Sequence, residues 1–187
     1  MLFDISTMTL DFDKLFKQSE EVFHTRDGQC QLTYLDIQHL VDISKGNPRE
    51  KSRLCIHSSP DEPVHQMFIS HSKEVYVRPH KHIDKSESML ILEGKADYLS
   101  FEEDGHIASR VPLGSVKSGD IFFQTTDKNI YHTIIIRSDW LIFLEVANGP
   151  FQKNGMCFAD WSPPQEETHL GLKYLEDQIA NLINPTD

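Results

Sequence analysis

The stretch VRPHKHIDKSESMLILEG, Val77 to Gly94, decides how this 187-residue chain is read. It places His80 and His82 two residues apart beside Pro79, which fixes its own φ and biases Arg78 away from helix. In an extended segment alternate side chains share a face, so both imidazoles point the same way. Glu87 follows after a polar turn, early enough in the next apolar run to swing back toward the same centre. His132 opens another strand-like run, YHTIII, and in a closed sheet it completes the set from the opposite wall. Three imidazoles and a carboxylate point to one divalent metal ion, with Zn, Fe, Mn, Ni and Cu all compatible.

Working outward, the residues from Ser52 onward fall into short apolar or alternating runs: 53–57, 66–69, 75–77, 89–92, 96–101, 107–113, 120–123, 132–136 and 141–146. Turn signals such as Glu93-Gly94, Asp104-Gly105 and Ser118-Gly119-Asp120 separate them. About nine strands at this spacing predict a β-sandwich or barrel. Before them, Phe12, Leu15, Phe16, Ser19, Val22 and Phe23 follow helical spacing, and a second helix is expected over 35–44, stopped by Gly46-Asn47-Pro48. After Trp161-Ser162-Pro163-Pro164, the stripe Leu172, Leu175, Ile179 and Leu182 predicts a last helix ending at Asn184-Pro185. The expected organisation is a helical extension over 1–51, a barrel over 52–164 and a C-terminal helix over 165–187, packed as one unit.

The formal net charge of −11 and the absence of a basic run argue against nucleic acid as a partner. No apolar run approaches the roughly 18–20 residues needed to cross a bilayer, and MLFDISTMTLDFD carries acids where a signal peptide carries a basic flank, so the expectation is a cytoplasmic protein. Cys30, Cys55 and Cys157 are widely spaced and contain no Cys-x-x-Cys pair, which signals neither a disulfide framework nor a thiolate zinc site.

Other residues are candidates for the pocket. Arg53, Cys55 and His57 alternate with Leu54 and Ile56; if the polar face lines the barrel, Arg53 is placed to hold a carboxylate or phosphate and His57 to carry a proton. Gln66 and Tyr76 are candidate substrate contacts, Tyr76 and Arg78 because they share parity with His80. Glu145 ends the apolar run LIFLEV, where a charge needs a partner, and is a candidate general base. Phe151 and Trp161 are placed to roof the pocket. His24, His39, His65, His71, His106 and His169 read as surface or helix-face residues.

The pattern His80-x-His82-x4-Glu87, then Gly94, then a distant His132 resembles the cupin superfamily. The second half of the pattern keeps Gly119-Asp120 and His132 but carries TTDKNIY in place of a Pro-x-Gly turn, and Ile136 where an Asn is usual. More narrowly, SRLCIH, HQMFI, YVRPHKH, FLEVANGPF and FADWSPP, spanning Ser52 to Pro164, resemble the WbuC family of cupin metalloproteins. That resemblance implies a double-stranded β-helix, one metal held by His80, His82, Glu87 and His132, and a setting in bacterial surface-polysaccharide assembly. It leaves three functions open: a sugar or nucleotide-sugar isomerase or epimerase, an Fe(II) dioxygenase, and a non-catalytic small-ligand binder. Analogy with cupins that pair through their sheets adds a homodimer to the expectation.

Overall fold

The computed structural model describes residues 7–25 and 29–183. Its barrel begins with β3 (Lys51–Cys55) and β4 (Val64–Ser72), continues through β5 (His80–His82), β6 (Glu87–Glu93), β7 (Lys95–Phe101) and β8 (Ile107–Gly114), and then through β9 (Phe123–Thr126), β10 (Tyr131–Ile136), β11 (Trp140–Asn148) and β12 (Met156–Phe158). Ahead of these lie two short strands, β1 (Phe16–Lys17) and β2 (Val22–His24). The strands form a seven-stranded sheet in the order β1-β2-β3-β4-β11-β6-β9 and a five-stranded sheet in the order β12-β5-β10-β7-β8. Apart from β3–β4 and β7–β8, which pair within one sheet, successive strands of the barrel pass between the two sheets, and the pairings of barrel strands with one another are antiparallel. This is the jelly-roll winding of a double-stranded β-helix, the cupin barrel.

Period-two burial explains why the sheets face each other. Met67, Ile69, Ile91, Leu141 and Phe143 from one sheet meet Ala96, Tyr98, Leu113, Ile134 and Ile136 from the other in one core. The β6–β7 corner turns at Gly94, where φ is +90° and a Cβ would stand 2.3 Å from the carbonyl oxygen of Trp140. Only glycine fits that corner.

Each sheet carries one helix on its outer face. α1 (Tyr34–Lys45) lays Ile37 and Val41 on Ile142, and Leu40 on Leu54 and Phe23. α2 (Thr168–Ile183) lays Leu175 and Ile179 on Leu99, Phe101 and Ile135. Leu182, expected on that stripe, is 48 % exposed, and the Asn184-Pro185 stop lies outside the described residues.

The helix expected over 12–23 does not form. A 3-10 turn at Phe12–Lys14 is followed by β1 and β2, and β2 runs parallel to β3, with Val22 opposite Arg53 and His24 opposite Cys55. Phe12, Leu15 and Phe23 still share one apolar cluster, so the spacing reported burial correctly but not conformation. The unsatisfied edge of β3 supplies the reason, since pairing with it gives the segment backbone partners that a short isolated helix lacks. Two further strand readings shift: 75–77 is irregular, and the strand expected at 120–123 is displaced to β9. β12 was not foreseen.

Candidate metal centre

Both sheets contribute to one end of the barrel interior. His80 and His82 project from β5 and His132 from β10, where His132 stands directly opposite His80. Their donor nitrogens all lie within 4.8 Å of one another, a spacing that can hold a metal ion. Glu87 reaches across from β6, with one carboxylate oxygen 2.8 Å from His132 Nε2 and the other 3.0 Å from His82 Nε2. The four residues expected from the sequence thus meet at one point.

Backbone carbonyls fix two of the imidazoles. His80 Nδ1–H donates to the carbonyl of Arg78 at 2.9 Å, and His132 Nδ1–H donates to that of Ile130 at 2.8 Å. A carbonyl can only accept, so both rings carry their proton on Nδ1 and, when neutral, turn an Nε2 lone pair inward. Such outer partners orient metal-binding histidines. His132 also lies parallel to Tyr98, with ring centroids 6.0 Å apart, and the Tyr98 hydroxyl is tied to Thr126 at 2.8 Å.

The electrostatics follow from burial and proximity. Burial and the neighbouring His132 push His80 down to about 3, leaving a neutral ligand. Burial alone would lower His132, but the Glu87 carboxylate outweighs it and raises the group. Burial likewise opposes ionisation of Glu87, and the hydrogen bonds from His132 and His82 reverse it, holding the carboxyl well below the usual range. Three imidazoles around an ionised carboxylate form a donor set that fits a divalent cation.

A cavity of about 540 Å³ opens from this centre and is lined further by Glu145, Met89, Phe143, Ile69, Arg53 and His71. Glu145 stands opposite Met67 on one side and Met89 on the other, with no hydrogen-bond partner for its carboxylate among the described residues. Burial, then the charge of Glu87, raise it to about 7. Arg53 also faces the cavity, as parity with Cys55 and Val22 requires.

Two expected pocket residues lie elsewhere, and Tyr76 lines the cavity with its ring turned away from it. Gln66 is exposed on the outer face of β4, because Met67 and His65 take the inward positions. Tyr76 packs its ring with Leu99 and Leu175 under α2, and its hydroxyl donates to the Pro163 carbonyl at 3.0 Å; the irregular backbone at 73–79 breaks the parity with His80. His57 lies outside the cavity, stacked on His65 at 4.2 Å, its Nδ1 accepting from Gln66 N–H at 3.2 Å. It also lies with His24 and Cys55 in a second group of close donor atoms, in which burial raises the Cys55 thiol to about 11. Trp161 packs against Phe101, Tyr131 and Tyr174, whereas Phe151 does line the cavity mouth.

Two cavity residues escaped the sequence reading. His71 and Lys51 face each other across β3 and β4 and both line the cavity. Their signal was the length of β4: with Val64–Ser72 as one strand, His71 shares the inward parity of Met67 and Ile69.

The fold and this site define a single jelly-roll barrel with a candidate three-histidine, one-carboxylate centre. Known proteins are similar to it in the following respects. A family model described as "Domain of unknown function (DUF6016)" matches residues 32–113. No curated protein matches the chain. Among solved structures, an uncharacterized conserved protein with a double-stranded β-helix domain from Klebsiella pneumoniae is 14% identical over 66% of this chain and 94% of its own, with a TM-score of 0.48. A point mutant of Bacillus subtilis oxalate decarboxylase OxdC is 20% identical over 71% of this chain and 34% of its own, with a TM-score of 0.46. The capsular polysaccharide assembling protein CapF from Staphylococcus aureus is 15% identical over 57% of this chain and 29% of its own, with a TM-score of 0.46. This chain therefore spans about a third of the last two. No helix among the described residues is long and apolar enough to cross a membrane.

Proposed function

We propose that His80, His82, Glu87 and His132 bind one divalent metal ion, and that the chain is a metal-dependent isomerase or epimerase of a small polar substrate. The observation that carries this reading is the conjunction of the three-histidine group with Glu145, a carboxyl that titrates near neutrality in the same cavity. A general base works best when its pKa lies near the operating pH. When bound, the metal supplies a Lewis acid to polarise a substrate oxygen. Glu145 takes a proton from the carbon beside that polarised group onto a carboxylate oxygen and returns it to the neighbouring carbon. Met89, Phe143 and Ile69 line the cavity with Glu145 and supply apolar walls.

The substrate class in this reading is a sugar or nucleotide-sugar of bacterial surface-polysaccharide assembly, supported by the resemblance of residues 52–164 to the WbuC family. A cytoplasmic homodimer belongs to the same reading. Elemental analysis of protein purified without a histidine tag tests it, on wild type beside His80→Ala and His132→Ala. About one equivalent of metal in wild type, lost in both variants, is the expected result, together with solvent deuterium entering a sugar substrate from a panel in D2O. Wild type that takes up no metal on reconstitution overturns the metal centre. Iron accompanied by substrate-dependent oxygen uptake, with no deuterium incorporation, replaces the isomerase with a dioxygenase; tight ligand binding without turnover on any metal replaces it with a binding protein.

A further inference from the structure

The end of the cavity away from the histidines is cationic: Arg49, Lys51 and Arg53 line it against the carboxylate of Glu21. Rows of inward-facing residues climb the seven-stranded sheet: Glu87 opposite Ala147, then Glu145 between Met67 and Met89, then Arg53 and Phe143 opposite Ile69, and last Lys51 and Leu141 opposite His71. Arg53, Lys51 and His71 all line the cavity. The guanidinium of Arg53 makes only a 3.8 Å contact with Met67 Sδ, and its Nε is buried with no hydrogen-bond partner. His71 Nδ1 is likewise buried and unpartnered. Neither Lys51 nor Arg53 forms an ion pair among the described residues, and the nearby acid Glu21 is engaged by Arg49 at 3.1 Å. Burial and the charges of Lys51, Arg53 and Arg49 push His71 down to about 3, so it stands as a neutral N–H donor, and burial followed by the Arg49 charge lowers Lys51.

Buried donors are costly when unpaired, and buried cations more so. Their natural complement is a ligand oxyanion, which a guanidinium fork binds with two parallel hydrogen bonds. We infer that Arg53, Lys51 and His71 form an oxyanion subsite, which holds the carboxylate or phosphate of a substrate whose opposite end meets the histidine centre. The row of Glu145 lies between the two poles, so a substrate anchored at both ends passes its middle carbons across that carboxyl. Two rows separate Arg53 from Glu87, about 13 Å along the strands, and the long side chains shorten the gap to the length of a small acidic or phosphorylated molecule. The second anchor rests on the metal centre proposed above; the oxyanion subsite stands without it.

The test uses metal-stripped protein dialysed free of chelator, titrated calorimetrically with inorganic phosphate and, separately, with malonate. Wild type is expected to bind at least one of them. Arg53→Gln is expected to weaken binding about tenfold or more, and Lys51→Gln less. His80→Ala is expected to keep the anion affinity while losing metal, which separates failure of this subsite from failure of the metal centre. Phosphate binding alone assigns a phosphoryl group to the substrate, malonate alone a carboxylate, and both the shared oxyanion chemistry. No binding to folded wild type at millimolar anion, or equal affinity in wild type, Arg53→Gln and Lys51→Gln, overturns the inference; circular dichroism establishes that each variant is folded.

Discussion

Two carboxylates drawn into the body of this protein meet opposite fates. Asp36, on the first turn of α1, accepts from Thr9 N–H at 3.0 Å, Leu10 N–H at 2.9 Å, Thr33 N–H at 2.6 Å and the Thr33 hydroxyl at 2.7 Å. Burial alone would raise it, but these donors hold its carboxyl below the ordinary value. Glu145, inside the barrel, has no such donors, and the ionised Glu87 nearby makes its charge worse. Asp36 is a charged knot that ties residues 9–10 to the helix start. Glu145 is an acid held near its titration point. The difference teaches that burial does not decide ionisation; the supply of hydrogen-bond donors does.

The sharpest way to break the contrast is Asp36→Ala. It strands several donors at once, and chemical denaturation is expected to show a loss of roughly 3 kcal/mol. Because the folded pKa of Asp36 is depressed, its contribution is present above about pH 4 and disappears as pH falls through the folded value. The variant should therefore lose less stability on acidification than wild type does.

Glu145→Gln tests the other side. Its folded pKa of about 7 lies above the ordinary 4.5, so the folded protein holds a proton that the unfolded chain releases. Wild-type stability should fall as pH rises from about 4.5 to 7 and stay level above that. In metal-free protein at pH 8 the glutamine variant is expected to be more stable by up to about 3 kcal/mol, with a flatter profile across that window and no proton exchange into substrate. Equal profiles for variant and wild type would remove Glu145 from the proton-transfer role. The smallest effect is expected of Gln66→Ala: its side chain is exposed on the outer face of β4, so stability should change by less than about 0.5 kcal/mol and metal content not at all.

Much of the candidate metal centre was legible because it depends on local geometry. His80 and His82 share a face by strand alternation, and Gly94 marks a corner where a side chain cannot fit. Arg53 and Glu145 were legible for a related reason, since each breaks the polarity of an alternating or apolar strand. His57 misled because parity was carried past Cys55, where β3 ends; Tyr76 does line the cavity, but its ring turns away because β5 starts only at His80. Gln66 misled differently, because a polar residue in an apolar run gives no sign of which face it takes until the neighbouring register is known.

By itself, then, the sequence determined the barrel, its two packed helices near α1 and α2, and the candidate ligand set, because periodicity and turn chemistry act over a few residues. The tertiary structure alone decided that residues 22–24 pair with β3 and 16–17 with β2 instead of coiling, that β12 lies against β5, and that Lys51, Arg53 and His71 converge opposite the histidines. Those outcomes depend on which backbone edges and which inward-facing rows meet across the sheets, and strand register between distant segments is set by packing of the whole core.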